Sequence, residues 1–248
     1  KMEPLDLAAL TALKKLIEQT ATHYDQSEFH QVAGALADQF CINALSEYYL
    51  DVRKDILYCD LADSPRRRSA QTAFWHIARA LAKLLAPILS FTAEETWQTL
   101  REQNLLDAPD NPESVFLNSF PTPLQIDPTV SIAELLSVRR MINEAVEKAR
   151  QAGAIKGMND ARVGLRIGPD LGQNLIRFVR ENERASVLGV AAVHVEKSEV
   201  GTSVVSVDPA PGAKCPRCWL WRELGPAGLC VRCTEAEAQA AQAAPAPR

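Results

Sequence analysis

Four cysteines near the C-terminus constrain the fold of this chain more than any other feature. They form two Cys-x-x-Cys pairs, Cys215–Cys218 and Cys230–Cys233, with eleven residues between the pairs. Each pair is typical of a tight knuckle that points two thiolates at one place, and two knuckles complete a tetrahedral site of four sulfurs. Redox-active dithiols or a disulfide framework are the alternatives. We predict one structural zinc ion, because four thiolates leave no position open for a substrate water.

The composition is that of an ordinary globular protein. A chain of 248 residues is long enough for one or two domains with a sizeable core. It contains no run of about eighteen apolar residues, and its first residues do not resemble a signal peptide, so we expect no membrane span and a cytoplasmic monomer with reduced thiols. Because the net charge is -4, any surface that binds nucleic acid must be local.

The hydrophobic pattern of roughly the first hundred residues predicts an antiparallel helical bundle. Leucines recur on one helical face between residues 6 and 21, and a second amphipathic pattern runs toward Tyr49. Ser64 and Pro65 have the sequence of a helix start. Thr92 and Glu95 have the spacing of a capping box, which predicts the start of a further helix there.

The second half of the chain predicts a small α+β unit. Residues 103–128 are rich in Asn, Asp and Pro and read as a linker, after which a helix is expected over 131–152 with Gly153 as its stop. Alternating residues predict a strand over 162–167. A short helix over 171–179 and two more strands complete this unit, at Val187–Val195 and Val204–Val207.

We therefore expect a mainly α fold made of four units. These are a helical bundle over 1–127, a linking helix with the small α+β unit over 128–212, a four-cysteine zinc-finger module over 213–235 and a flexible tail over 236–248.

Local basic clusters and an unusual tryptophan are the candidate binding features. A cluster of arginines is often only a solvated face, but several clusters on an acidic chain favour a polyanion as ligand. Trp219 lies in a module that has little interior for its indole, so it either packs under the knuckles or forms a platform on which an unpaired base stacks. No arrangement of His, Cys, Ser or carboxylates resembles a catalytic centre, and Cys41 and Cys59 read as buried thiols.

Three segments carry a resemblance to a known family. They are Phe40–Tyr58, Arg66–Thr72 and Leu84–Trp97, and each is similar to the anticodon-binding domain of bacterial isoleucyl-tRNA synthetases. The terminal Cys-Pro-Arg-Cys-Trp and Cys-Val-Arg-Cys motifs resemble the C-terminal zinc finger of that family. The resemblance covers nearly the whole chain and is weakest from about 160 to 210.

The resemblance implies a class I aminoacyl-tRNA synthetase that joins isoleucine to its tRNA with ATP. This chain lacks the His-Ile-Gly-His-like and Lys-Met-Ser-Lys-Ser-like signatures of the nucleotide-binding core, so ATP would bind only in a catalytic core that is absent here. We expect a C-terminal fragment without catalytic residues, whose partners are the N-terminal catalytic and editing domains and the anticodon stem-loop of isoleucine tRNA.

Local positive charge on an acidic chain, an aromatic in a small module and this resemblance together predict which residues contact the tRNA. Arg and Lys would hold phosphates while an aromatic stacks on a base. The expected contacts are Arg53, Lys54, Arg66, Arg67, Arg68, Arg217, Trp219 and Arg232. Two other classes remain open: a zinc-finger DNA-binding protein and a helical interaction adaptor with a structural zinc. DNA glycosylases with a similar finger begin with a Pro nucleophile and a Glu, which this N-terminus does not supply.

Overall fold

A computed structural model describes residues 2–126, 131–168, 184–198 and 201–243 of the chain. The fold is mainly helical, as the sequence predicts. The helices of the first half, in chain order, are α1 (Pro4–Asp25), α2 (Phe29–Ala33), α3 (Leu50–Cys59), α4 (Pro65–Leu85) and α5 (Ser90–Glu102). A wider, π-helical segment (Gly34–Tyr49) joins α2 to α3, so that residues 29–59 form one continuous rod.

The directions of the helices differ from a purely antiparallel bundle. At one end of the α1–α4 pair, the backbone N–H of Glu3 donates to Ser69 Oγ at 2.7 Å. At the other end, the hydroxyl of Tyr24 donates to the carbonyl of Leu84 at 2.7 Å. The first residues of α1 thus lie beside the first residues of α4, and the last beside the last, so the two helices run parallel. Helices α4 and α5 form an antiparallel hairpin, in which Trp75 of α4 donates to the carbonyl of Leu105, just beyond α5.

The α+β unit packs on the bundle and shares its core. Helix α6 (Ile132–Gln151) begins with a capping box between Ser131 and Glu134. Strand β1 (Ala161–Ile167) is central, with β2 (Ala192–Lys197) parallel on one side and β3 (Val204–Pro209) antiparallel on the other. The buried residues of β1 belong to the same hydrophobic cluster as those of α1. The expected boundary near residue 128 therefore does not separate two cores.

One predicted strand is wrong at its start. Val187 and Leu188 lie in a short helix, α7 (Arg184–Leu188), and the strand begins only at Ala192. The carbonyl of Val187 accepts a hydrogen bond from the buried Tyr48 hydroxyl at 2.9 Å, and that of Leu188 accepts one from Arg139. Docking of α7 on the bundle thus outweighs the β propensity of these residues. The helix expected over 171–179 lies outside the described residues.

The cysteine module ends in a helix where a tail is expected. A two-stranded hairpin, β4 (Ala213–Lys214) with β5 (Trp221–Arg222), precedes α8 (Val231–Ala243). Ala236 in α8 is buried. Residues 236–243 are therefore helical, and the helix crosses the boundary that the sequence suggests at 235. In the part of the chain that the structure describes, no helix combines the length and apolarity needed to cross a membrane.

A buried polar cluster joins three helices at the start of the bundle. Asp6, which is 0% exposed, accepts hydrogen bonds from Tyr49 at 2.7 Å, from Arg53 Nε at 2.9 Å and from Ser69 at 2.5 Å. These contacts fix the ends of α1, α3 and α4 against each other. A buried carboxylate is tolerated only when its charge and lone pairs are satisfied in this way.

We predict that Arg53→Met lowers the free energy of unfolding by about 3–5 kcal/mol, because it leaves the Asp6 charge buried without its cation. Denaturant unfolding followed by circular dichroism measures the change. The neighbouring Lys54→Met is the matched control, since Lys54 is exposed and its replacement should alter stability by less than about 0.5 kcal/mol. Equal effects of the two substitutions would contradict the assigned role of Arg53.

Candidate metal centre and its junction with the helical bundle

The first cysteine knuckle is closed by backbone hydrogen bonds. The N–H of Trp219 donates to the carbonyl of Cys215 at 2.8 Å, and the N–H of Cys215 donates to the carbonyl of Leu220 at 3.0 Å. The second knuckle leads directly into α8, where Thr234 N–H donates to the carbonyl of Cys230 at 3.0 Å. Both pairs of thiols are thereby held on short, hydrogen-bonded turns.

The two knuckles bring the four sulfurs together. The Sγ atoms of Cys215, Cys218, Cys230 and Cys233 all lie within 4.8 Å of one another, and those of Cys218 and Cys230 are 3.9 Å apart. Tetrahedral Zn–S bonds of about 2.3 Å place sulfurs about 3.8 Å apart, so the spacing fits such an ion. Cys218 is partly exposed, whereas the other three are buried. The cluster can hold one metal ion.

The pKa values of two thiols in the cluster are shifted in opposite directions. Burial by itself raises the pKa of Cys215, but backbone N–H groups of Cys218, Cys230 and Arg217 outweigh it and lower the pKa to about 6. Burial, together with the charges of Cys233 and Cys230, raises the pKa of Cys218 to about 12. One thiolate forms readily, and its charge opposes the formation of others. A bound cation removes that opposition.

Arg232 attaches the module to the bundle. Its two terminal nitrogens donate to the two carboxylate oxygens of Asp55 at 2.6 Å each, and Nη1 also lies 3.3 Å from Asp60. The side chains of Arg232 and Asp55 are 22% and 21% exposed, so this bidentate pair is largely screened from water. Such charge-assisted pairs combine strength with a fixed geometry.

Arg217 makes the second attachment and also touches the metal cluster. Its Nη1 donates to the carbonyl of Cys59, the last residue of α3, at 2.6 Å. Burial would lower the pKa of this guanidinium, but the nearby Cys233 sulfur outweighs it and raises that pKa. The Cys59 thiol in turn lies 3.8 Å from the carbonyl of Arg217. Partners of this kind behind a ligand orient it and tune its affinity for the metal.

These contacts change the assignment of three predicted tRNA contacts. Arg53 is only 3% exposed and belongs to the Asp6 cluster, so it has no access to a phosphate. Nη1 of Arg217 and both terminal nitrogens of Arg232 are engaged at the junction. Charge counting in the sequence cannot separate such arginines from free ones, since Asp55 and Arg232 are 177 positions apart in the chain.

The remaining predicted cations lie at or near the surface. Lys54 is exposed, with its Nζ 3.5 Å from Asp51. Arg68 is exposed and donates to Gln71 at 3.3 Å. Arg66 and Arg67 are half-buried and turn toward Asp60: the Arg66 Nε lies 4.0 Å from its carboxylate, and Arg67 donates to its carbonyl at 3.3 Å.

Trp219 is on the surface of the module, not in its core. It is 60% exposed, its Nε1 donates to the carbonyl of Pro216 at 3.1 Å, and the Nζ of Lys214 lies 5.4 Å from its ring centroid. Its φ is 64°, in the left-handed region that favours glycine. A bulky side chain such as that of Trp219 in a glycine-favouring turn costs about 1–2 kcal/mol. The other tryptophan of the module, Trp221, is half-buried in β5.

The sequence of the bundle matches a known protein family. The family described as "Anticodon-binding domain of tRNA ligase" matches residues 6–165, which run from α1 to β1. This span includes the bundle, the Asp6 cluster and the α3–α4 corner on which the cysteine module sits. The chain belongs to this family.

The individual proteins to which the chain is similar narrow the comparison to one kind of tRNA ligase. It is 39% identical over 258 residues to isoleucine–tRNA ligase of Thioalkalivibrio sulfidiphilus, which covers 95% of this chain and 26% of that protein. It is 35% identical over 247 residues to isoleucine–tRNA ligase of Azoarcus sp., with 93% and 25% covered. The enzyme of Dichelobacter nodosus is 38% identical over 247 residues, with 95% and 25% covered. The chain thus spans about a quarter of the length of these relatives.

We predict that Arg232→Gln loosens the junction without removing metal, because all four cysteines are untouched. Loss of a charge-assisted pair of this burial should lower the local opening free energy of the module by about 1.5–3 kcal/mol. Hydrogen exchange at residues 213–233 measures the change, and the charge reversal Asp55→Arg with Arg232→Asp should restore part of the protection. Arg150→Gln, which removes an exposed ion pair to Glu147, is the control. Unchanged exchange in Arg232→Gln would refute the role of the pair.

Proposed function

We propose that this chain is the anticodon-binding part of an isoleucine–tRNA ligase and that it binds the anticodon stem-loop of isoleucine tRNA. Membership of the anticodon-binding family and similarity to isoleucine–tRNA ligases over more than nine-tenths of the chain support the proposal. The joining of isoleucine to tRNA with ATP would belong to the longer cytoplasmic enzyme, in catalytic and editing domains outside this sequence. The role of the chain is then to hold the tRNA.

The observation that carries the proposal is the match of residues 6–165 to the anticodon-binding family, and the exposed indole of Trp219 is the structural feature that fits it. Single-stranded RNA bases are bound by stacking on aromatic rings, and this ring is presented to solvent on a module that is fixed to an anticodon-binding bundle. The backbone of Trp219 has a conformation that glycine would adopt at lower energy. An indole at this position is better explained by a surface contact than by the stability of the module.

We propose that the ion of the cysteine cluster is Zn²⁺. Four soft thiolates in tetrahedral spacing are the donor set that zinc prefers in structural sites. The ion would hold the two knuckles and, because Arg217 lies within the first knuckle and bonds Cys59, strengthen the junction with α3. With all four positions taken by sulfur, it would have no part in catalysis.

We propose that phosphate contacts come mainly from Lys54 and Arg68, with Arg66 and Arg67 at the edge of the same surface. Arg53, Arg217 and Arg232 are withdrawn from this set because their guanidinium groups serve the fold and the junction. Four of the seven predicted cations remain in this set, and a zinc–thiolate cluster adds about two negative charges. The electrostatic share of tRNA binding should therefore be modest. Each lost phosphate contact should lower the salt slope of binding by about one unit.

We predict about one equivalent of zinc per chain, measured by elemental analysis of freshly purified protein. Chelation should increase hydrogen exchange in residues 213–233 while α1 keeps its protection, because metal binding and folding are linked in small zinc modules. Cys215→Ser should lose the metal. Cys41→Ser, which removes a thiol of the helical bundle and not of the cysteine module, should keep it. A full equivalent in Cys215→Ser, or a different metal in the unaltered chain, would disprove this assignment.

We predict that Trp219→Gly has opposite effects on stability and binding. The module should be as stable as before or more so, because glycine adopts positive φ without strain. Affinity for isoleucine tRNA should fall by about 1–3 kcal/mol, the usual cost of losing a base-stacking aromatic. Thermal unfolding of the module and filter binding of isoleucine tRNA measure the two effects, with the salt slope expected to stay unchanged.

The same binding assay tests the function itself. The unaltered chain should prefer isoleucine tRNA to a tRNA for another amino acid and to duplex DNA. Equal affinity for all three would overturn the proposed function and favour a nonspecific or DNA-binding protein. If the preference exists but Trp219→Gly keeps full affinity, the indole has another role and the anticodon assignment stands without it.

A further inference from the structure

A second aromatic side chain is exposed at the junction of the module with the bundle. Tyr58, near the end of α3, is 78% exposed. Two other tyrosines of the same helical rod behave differently: Tyr48 and Tyr49 are buried, and their hydroxyls donate to the carbonyl of Val187 and the carboxylate of Asp6. Among the described residues, the hydroxyl of Tyr58 has no hydrogen-bonding partner. Its ring contributes little to the core.

The junction contacts place Tyr58 near Trp219. The residue after Tyr58 is Cys59, whose thiol is 3.8 Å from the carbonyl of Arg217 and whose own carbonyl accepts from the Arg217 guanidinium. Trp219 follows Arg217 by two residues. With consecutive Cα atoms about 3.8 Å apart, the Cα atoms of Tyr58 and Trp219 are separated by no more than about 20 Å. Both residues therefore lie on the segments that meet at this junction.

Both aromatics also have a lysine neighbour. Lys54 precedes Tyr58 by four residues on α3, hence on the same side of the helix, and its side chain is 65% exposed. Lys214 lies over the ring of Trp219. Asp55 and Asp60, which would repel a polyanion here, are paired with Arg232. Aromatic rings interleaved with cations are the combination that binds single-stranded nucleic acid.

We propose that Tyr58 and Trp219 form a two-part stacking surface for unpaired RNA bases, one part on the bundle and one on the metal module. This inference rests on the proposed tRNA-binding function and extends it, because it assigns a base contact to the bundle itself. The occupant is a single-stranded loop of RNA, whose bases stack on the two rings while its phosphates approach Lys54 and Lys214. The attachments made by Arg217 and Arg232 set the separation of the rings.

Three substitutions at Tyr58 separate stacking from a general apolar contact. Tyr58→Phe keeps the ring and should bind isoleucine tRNA within about 2-fold of the unaltered chain. Tyr58→Ala should bind about 5- to 150-fold more weakly. Tyr58→Leu, which keeps apolar bulk without a ring, should resemble alanine. In each case the salt slope should stay unchanged, because no phosphate contact is lost.

Phe91→Ala provides the matched control. Phe91 is 92% exposed, more than Tyr58, but it lies beyond the other end of α4. Twenty residue steps at about 1.5 Å put that end about 30 Å from the junction. Loss of this ring should leave tRNA affinity unchanged. As a direct readout, an anticodon stem-loop carrying photoreactive 4-thiouridine in its loop should crosslink to peptides that contain Tyr58 and Trp219.

The outcomes distinguish this inference from the function on which it rests. If the unaltered chain has no preference for isoleucine tRNA, both fail. If it has that preference but Tyr58→Ala binds as tightly as the unaltered chain, only the role of Tyr58 fails. Equal losses in Tyr58→Ala and Phe91→Ala would also overturn it, because the effect would then not be specific to the junction.

Discussion

The bidentate pair between Arg232 and Asp55 is the interaction on which the arrangement of this molecule depends. The hydrophobic cluster of the cysteine module consists of the four cysteines and two leucines, so the module cannot fix its own position by apolar burial. Its orientation is set by Arg232, and by Arg217 bonded to the end of α3. Because Arg217 lies in the knuckle between Cys215 and Cys218 and also bonds the end of α3, the order of the candidate metal site and the order of the junction are linked.

The arginines of this chain illustrate why sequence charge does not identify a binding surface. Arg53 completes a buried cluster, Arg232 joins two parts of the fold and Arg68 faces solvent. The helical spacing of the sequence does distinguish Arg53 from the exposed arginines. Arg53 follows Tyr49 by four residues and precedes Ile56 by three, which places it on the buried face of its helix. No comparable signal exists for Arg232, since its partner is remote in the sequence and only the folded chain brings them together.

Local patterns predicted the elements that depend on local interactions. The cysteine spacing, the helix that stops at Gly153 and strand β1 all follow from neighbouring residues. The capping box expected at Thr92 and Glu95 is absent, because α5 already begins at Ser90, whereas a box does form between Ser131 and Glu134. The helical state of Val187 depends on Tyr48, 139 positions earlier in the chain, and periodicity contains no information about that contact.

The backbone at Trp219 shows where stability and function require different residues. Three non-glycine residues in the described part of the chain have positive φ: Ser27, Asn104 and Trp219. Asn is accommodated in such turns, so Asn104 needs no further explanation, whereas a bulky aromatic at positive φ is an outlier. At Trp219, the knuckle requires a backbone conformation suited to glycine, but the residue carries an exposed indole. The module tolerates this strain because the four sulfurs and the backbone hydrogen bonds determine the turn.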